Sequence, residues 1–545
     1  MTNTPAQNAF GTINVAAILA ESAARRPEAT ALIVGGEETT YKELWEQTRA
    51  YAGALRERGI GPGDPVAVLI PNVADFARAY YAVLALGGIV VPVHALLKAA
   101  EIEFALRDSG AKLLVCAAPL LGEGAAGAGR AEVDVVSVMA SEGAGVPARL
   151  EAEAAVAVPL ESYVPRRPED TATILYTSGT TGKPKGAIGT HFALMEQVNV
   201  LLTGTFDVRA GDTVFGGLPL FHTFGQTCVL NAGLRAGATI VMCPRFTGDA
   251  AVEFIHKHGI DVFFGVPTMY AALLEAAKTN PVRPRRLRYG ISGGSALPMA
   301  ILEKFRDVFG AEIHEGYGLT ETSPVASFNH VGTKPRPGTI GTPIWGVDIE
   351  IARPEVTDRI ELLPDGELGE LVIRGHNLFK GYLNHPDATA EAVVNGWFRT
   401  GDLGTKDSDG YLRILDRKKD MIIRNGYNVY PREIEEVLNE HPEVVSVAVF
   451  GVPHETRGQE VAAAIVPTPC STLTAEELTA FAKTRLAAYK YPRIIEFMTE
   501  LPLGPSGKVL KRELAAVYGE KSAAATVFHH LAGSTHSPGV IACHF

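Results

Sequence analysis

Apolar residues recur along the chain in two different periods, and the switches between them predict the order of its elements. In YKELWEQTRAYAGALRERGI (41–60) they return every three or four positions, as on one face of a helix. GPGDP then turns the chain, VAVLI (66–70) is a short apolar run that reads as a buried strand, and DFARAYYAVLAL (75–86) resumes the helical period. This rhythm is that of α/β architecture with parallel strands. Ala79 to Leu97 contains no Asp, Glu, Lys or Arg and reaches the length of a membrane helix. Gly87 and Gly88 nevertheless divide it into a helix end and a β-branched run, IVVPV, that reads as a strand ending near Pro92.

From Leu120 to Ala157 the chain is rich in Ala, Gly and Glu with weak periodicity, which predicts a surface excursion without recognisable chemistry. Alternation resumes through TVFGGLPL, ATIVMC, DVFFGVP and RLRYGIS, and GELGELVIRG (366–375) marks a smaller β-rich unit. Beyond Asp416 a helix signal (PREIEEVLNEH), strands (VVSVAVFGV, EVAAAIVP), a second helix and a last strand near RIIEFM form a self-contained α/β pattern. Residues 1–12 read as a flexible N-terminus. Residues 522–545, small residues mixed with four His and Gly/Pro, read as a disordered tail.

A chain of 545 residues exceeds what one hydrophobic core organises, so two or more packed units are required. Fifty Lys and Arg against 61 Asp and Glu give a net charge of −11, which argues against a nucleic-acid surface; any bound phosphate must be held locally. The five cysteines are scattered without CxxC or Cys/His spacing, and the N-terminus lacks the basic and apolar regions of a secretory signal. Both features predict a reduced, cytoplasmic protein without structural zinc or a transmembrane segment.

The densest chemical signal is YTSGTTGKPKG (176–186), directly after the strand-like TATIL. Its glycines allow close backbone approach, Thr177, Ser178, Thr180 and Thr181 supply hydroxyls, and Lys183 and Lys185 supply charge, a composition suited to a polyphosphate. It is not the GxxxxGK[ST] pattern, so the phosphoryl-transfer assignment of that loop does not transfer. In EGYGLTET (315–322), Tyr317 offers a flat aromatic face, Thr320 a hydroxyl and Glu321 an anionic oxygen ligand for a hard cation. Asp402, in TGD, can accept from a pair of hydroxyls, and Arg417 adds a guanidinium fork.

These strings, with PLFHTFG (219–225), SGGSALP (292–298), GWFRTGDLG (396–404), DRKKDMIIRNGYNVYPREIE (416–435) and PSGKVLKREL (505–514), stand in the order found in the adenylate-forming superfamily. From about residue 13 to residue 521 the chain resembles its acyl-CoA synthetases, most of all fatty-acid–CoA ligases. The resemblance implies an α/β fold with a large N-terminal domain of several subdomains (13–416), containing parallel sheets and a β-rich unit, and a small mobile α/β C-terminal domain (417–521) that turns about Asp416.

It further implies ATP, Mg2+ and coenzyme A as cofactors or co-substrates, and an acyl-adenylate formed before the thioester. Catalytic roles fall to Lys508 on the acyl phosphate, Thr320 on the α-phosphate, Glu321 on Mg2+ and His222 beside the substrate carboxylate. Thr177, Ser178, Gly179, Thr180, Thr181, Gly182 and Lys185 form the phosphate loop. Gly294, Ser295, Glu315, Gly316, Tyr317, Gly318, Asp402 and Arg417 join the nucleotide site, and Gly426 borders a pantetheine tunnel. Malonate-activating relatives have an arginine where this chain has Gly316, so an apolar monocarboxylate is expected. The apolar run VFFGVPTMYAALL (262–274), SGGSAL and PVASF are expected to line its pocket. An aromatic acid, or transfer of the acyl group to a separate carrier protein, stays open, as do oligomeric state and peripheral membrane contact.

Overall fold

The computed structural model describes residues 12–139, 147–177, 184–280, 287–454, 456–503 and 509–518. The chain divides into two units, Met1–Ile414 and Leu415–Phe545. In the first, a nine-stranded sheet runs in the order Thr342–Pro343, Val325–Phe328, Glu312–Gly318, Tyr289–Ser292, Val262–Gly265, Thr213–Gly216, Thr239–Met242, Thr30–Val34 and Glu37–Thr40. Its central pairs, from Glu312–Gly318 to Thr30–Val34, are parallel, as the alternating periods predict. Helices Gly248–His258, Pro267–Thr279 and Met299–Phe309 separate successive strands.

The sequence determines several of these boundaries locally. Helix Tyr41–Glu57 starts at a capping box: the Thr40 side chain accepts from the Glu43 N–H (3.2 Å) and the Glu43 carboxylate accepts from the Thr40 N–H (2.8 Å). Its buried residues Tyr41, Leu44, Thr48, Tyr51 and Leu55 recur at helical spacing. The charge-free stretch after Ala79 is divided as its glycines predict, into helix Ala74–Ala85 and strand Ile89–Pro92. Among the described residues no helix is long and apolar enough to cross a membrane.

A six-stranded sheet runs Asp134–Val138, Leu113–Ala117, Pro65–Leu69, Ile89–Pro92, Thr171–Thr177 and Lys185–Thr190, the last pair antiparallel. Here the expected surface excursion is overturned: helix Leu121–Ala131 and strand Asp134–Val138 belong to the layered fold. The periodicity was weak because the inner face of that helix is glycine. A Cβ on Gly124 would lie 2.7 Å from the Cys116 sulfur, and one on Gly127 would lie 2.8 Å from the Ile102 Cβ. Close packing without large side chains leaves no hydrophobic stripe to read.

The β-rich unit is the antiparallel sheet Val347–Ala352, Gly369–Gly375, Trp397–Lys406 and Val393–Val394, with Leu412–Arg417 paired to Trp397–Lys406.

The second unit has its own sheet, in the order Tyr427–Val429, Ile422–Arg424, Gly458–Pro467 and Val444–His454, with Ile494–Phe497 parallel to Gly458–Pro467. Helices Pro431–Asn439 and Ala475–Lys483 bury Ile434, Leu438, Leu478 and Ala482 in its core. Within this sheet Arg424 and Glu460, each about 5% exposed or less, form a two-pronged ion pair, with Nη2 donating to Oε2 at 3.0 Å.

Burial alone would raise the Glu460 pKa, but Arg424, the Val461 N–H and Arg457 hold it below the ordinary carboxylate value of 4.5. A depressed folded-state value stabilises this unit fully above that pH and loses the contribution as pH falls through the folded value. Hydrogen-exchange protection of the Gly458–Pro467 amides should therefore fall with acid, with a flatter profile in Glu460→Gln. Arg424→Met should cost about 3–5 kcal/mol in the same amides, since it leaves a buried carboxylate without its main partner. Unchanged protection would contradict the importance of the pair.

Candidate active site

In an open parallel sheet, ligands collect at the carboxyl ends of the strands. That is where the motifs fall: SGGSALP follows Tyr289–Ser292, and EGYGLTET occupies the end of Glu312–Gly318 and the turn after it. Glu312–Gly318 pairs parallel with Tyr289–Ser292 through residues 312–315, then antiparallel with Val325–Phe328 through 316–318. Glu315 is buried, and its carboxylate accepts from the Leu297 N–H at 3.2 Å, holding SGGSALP against the strand. A Cβ on Gly293 would sit 3.4 Å from the Gly316 carbonyl and 3.3 Å from the Phe224 ring, two residues from His222.

The turn after Tyr317 is tight. A Cβ on Gly318 would lie 1.7 Å from the Pro324 carbonyl, so only glycine fits. On one side of it, the half-buried Tyr317 donates its hydroxyl to Asp402 Oδ2 at 2.5 Å, although 85 residues separate them. On the other, Glu321 is 8% exposed and accepts from the Tyr382 hydroxyl through Oε1 at 2.8 Å. Among the described residues no other donor reaches that carboxylate, a fit to a hard cation that prefers oxygen ligands.

The mouth of the phosphate loop is also fixed. Thr177 and Lys185 are cross-strand partners, with the Thr177 hydroxyl 3.5 Å from the Lys185 carbonyl; Ser178, Gly179, Thr180, Thr181 and Gly182 lie outside the described residues. The Lys185 ammonium stands 5.2 Å from the centre of the Tyr382 ring. Tyr382 is thus a site neighbour that the motifs did not disclose, since a lone tyrosine in KGYLN carries no chemical pattern.

His222 is half-buried, and its Nδ1 accepts from the Phe224 N–H at 3.1 Å. Thr320 is half-buried at the start of the turn, while Gly294 and Ser295 are exposed on the loop after Tyr289–Ser292. Gly316 is opposed in register by Phe328, and a Cβ there would meet that ring at 2.5 Å.

One expectation needs correction. The apolar run 262–274 does not act as one lining: strand alternation sends Phe263 onto Phe215 (4.5 Å) and Tyr270, while Phe264 faces Phe206 and Phe224. Tyr270 is fully buried and donates to the Phe263 and Ile291 carbonyls. Asp416 is 6% exposed, accepts from the Arg417 and Arg432 N–H groups (2.7 and 2.9 Å), and burial raises its pKa. Gly426 (φ +79°) forms with Asn425 (φ +52°) the two-residue turn between Ile422–Arg424 and Tyr427–Val429. Arg417 and Gly426 belong to the second unit, and Lys508 lies outside the described residues.

Comparison with known proteins agrees with this arrangement. Residues 19–383 match the AMP-binding enzyme family and residues 433–508 the AMP-binding enzyme C-terminal domain. A long-chain-fatty-acid–CoA ligase of Bacillus subtilis (strain 168) is 35% identical over 524 residues, covering 91% of this chain and 93% of that protein. A feruloyl-CoA synthase of an Amycolatopsis species is 36% identical over 497 residues, covering 90% and 96%. The crystal structure of the anthranilate CoA ligase AuaEII in complex with anthranoyl-AMP superposes with a TM-score of 0.87 at 27% identity, covering 95% of this chain and all of that one. The chain therefore belongs to the AMP-binding enzyme family and is an acid–CoA ligase that uses ATP and coenzyme A and proceeds through an acyl-adenylate.

Proposed function

We propose that the acid is an apolar monocarboxylate, a medium- or long-chain fatty acid. The observation that carries this is the surroundings of Gly316. Phe328 stands opposite it, and Phe206 and His314 pack on that ring at 5.0 and 6.3 Å. His314 is buried, burial lowers its pKa, and its Nδ1 is 2.8 Å from the Asn329 carbonyl, so it is neutral at physiological pH. A second carboxylate here would be buried without a partner at a cost of several kcal/mol, whereas each buried methylene contributes about 0.8 kcal/mol. The opposed signs favour a greasy tail. The likeness to a feruloyl-CoA synthase supports a hydroxycinnamate-type aromatic acid as the second reading.

In this reading Tyr317 stacks on adenine, Asp402 accepts the ribose hydroxyls, and Thr320 and the loop from Thr177 to Lys185 hold the phosphates. Glu321 would hold Mg2+, which neutralises charge on the phosphate oxygens. The substrate carboxylate attacks the α-phosphate, pyrophosphate leaves, and CoA sulfur then displaces AMP. His222 contacts the carboxylate, and Lys508 supplies its cation to the acyl phosphate.

Acid-dependent pyrophosphate release should require ATP and Mg2+, with thioester appearing only when CoA is added; phosphate release without AMP would contradict the reading. Specificity constants should favour octanoate and palmitate over acetate and malonate. A preference for coumarate or benzoate would leave the two half-reactions intact and overturn only the alkyl part.

Gly316→Val should force the Phe328 ring aside and lower kcat/KM for palmitate on the order of ten-fold, in line with overpacking costs, while leaving the KM for ATP unchanged. An equal rise in the ATP KM would remove Gly316 from the acyl side of the site.

A further inference from the structure

Tyr382 touches both elements assigned to the polyphosphate, yet nothing in its motif assigns it a role. Its hydroxyl donates to Glu321 and its ring lies beneath the Lys185 ammonium. The backbone fixes this double contact. Lys380 and Leu383 donate to the Ile188 and Gly186 carbonyls, and Ile188 donates back to Gly381, so the segment 380–383 is zipped along the strand that begins at Lys185. The Phe379 N–H donates to the Glu321 carbonyl at 2.8 Å, and the Tyr382 N–H to the Thr389 hydroxyl at 2.9 Å. The ring itself packs edge-on against Phe379 at 4.8 Å.

We propose that Tyr382 is a positioning residue: its hydroxyl pins one oxygen of Glu321 and turns the other toward the cation that accompanies ATP. The inference rests on the assignment of Glu321 to Mg2+. A carboxylate with no other donor among the described residues is otherwise free to rotate about its last two torsions, and a metal ligand that rotates binds more weakly. The same ring holds the Lys185 cation, so a single side chain sets the spacing between a cationic and an anionic group.

The test uses the full chain with ATP and a Mg2+ titration, without acid, so that nothing turns over and calorimetry reads binding alone. Tyr382→Phe keeps the ring, its packing and the Lys185 contact. It should raise the Mg2+ concentration needed for half-maximal ATP binding about ten-fold, the loss expected for a hydrogen bond to a charged group, while ATP affinity without Mg2+ stays unchanged. In turnover assays the same shift should appear in the Mg2+ requirement, with kcat largely recovered at saturating Mg2+. In a Glu321→Gln background Tyr382→Phe should add nothing, because the tyrosine acts only through the carboxylate.

A Tyr382→Phe protein with wild-type Mg2+ dependence would overturn the proposal, and so would one that loses ATP affinity equally with and without Mg2+. If Glu321→Gln itself binds ATP with unaltered Mg2+ dependence, the assignment of Glu321 fails instead. Tyr382→Leu, which removes ring and hydroxyl together, should show the Mg2+ defect plus a loss of Mg2+-independent affinity through Lys185; a Mg2+ response identical to wild type would again overturn the proposal.

Discussion

The site depends on the near-contact between Gly318 and the Pro324 carbonyl. No side chain fits between them, so the chain folds back within six residues. That fold-back is what lets Tyr317 and Glu321, four residues apart, reach two different partners. One hydroxyl meets Asp402 on the β-rich sheet, and one carboxylate meets Tyr382 on the segment clipped to the phosphate-loop strand. Adding even one methyl group at Gly318 would separate the two contacts before it touched either partner.

Around that turn polar and apolar groups are separated. Tyr382 meets both the Lys185 cation and the Glu321 carboxylate. Gly316 faces an aromatic cluster of Phe328, Phe206 and the buried His314. The same architecture is shared with relatives named for fatty, feruloyl and anthranilate substrates, so the fold alone does not choose the acid.

Much of this was legible in the sequence, for identifiable reasons. The parallel strands announce themselves because β-branched and aromatic runs such as DVFFGVP alternate with helical periods, and EGYGLTET and TGD bring chemically suited residues into view. What escaped was information carried by contact rather than by pattern. The helix Leu121–Ala131 packs through missing side chains at Gly124 and Gly127, so it reads as loop. The burial of Asp416 is hidden because DRKKD resembles a solvated run while two backbone N–H groups enclose its first residue. Tyr317 and Asp402 were both singled out, but their hydrogen bond spans 85 residues and follows only from the sheet arrangement. The Asn425–Gly426 turn is the opposite case, where a local conformational demand by itself calls for a glycine.

The separate cores of the two units bear on how the protein is made. Leu412 is fully buried, exchanges backbone hydrogen bonds with Ile340 and Gly341, and is the last buried residue of the first unit's main core, just before the boundary at Ile414. The apolar clusters of the second unit draw only on residues beyond that boundary. As the chain leaves the ribosome, the larger unit already contains every residue its own core requires, while the rest takes on the order of ten seconds to synthesise. Folding can then proceed in the direction of translation, with no early strand waiting exposed for a partner encoded near the C-terminus.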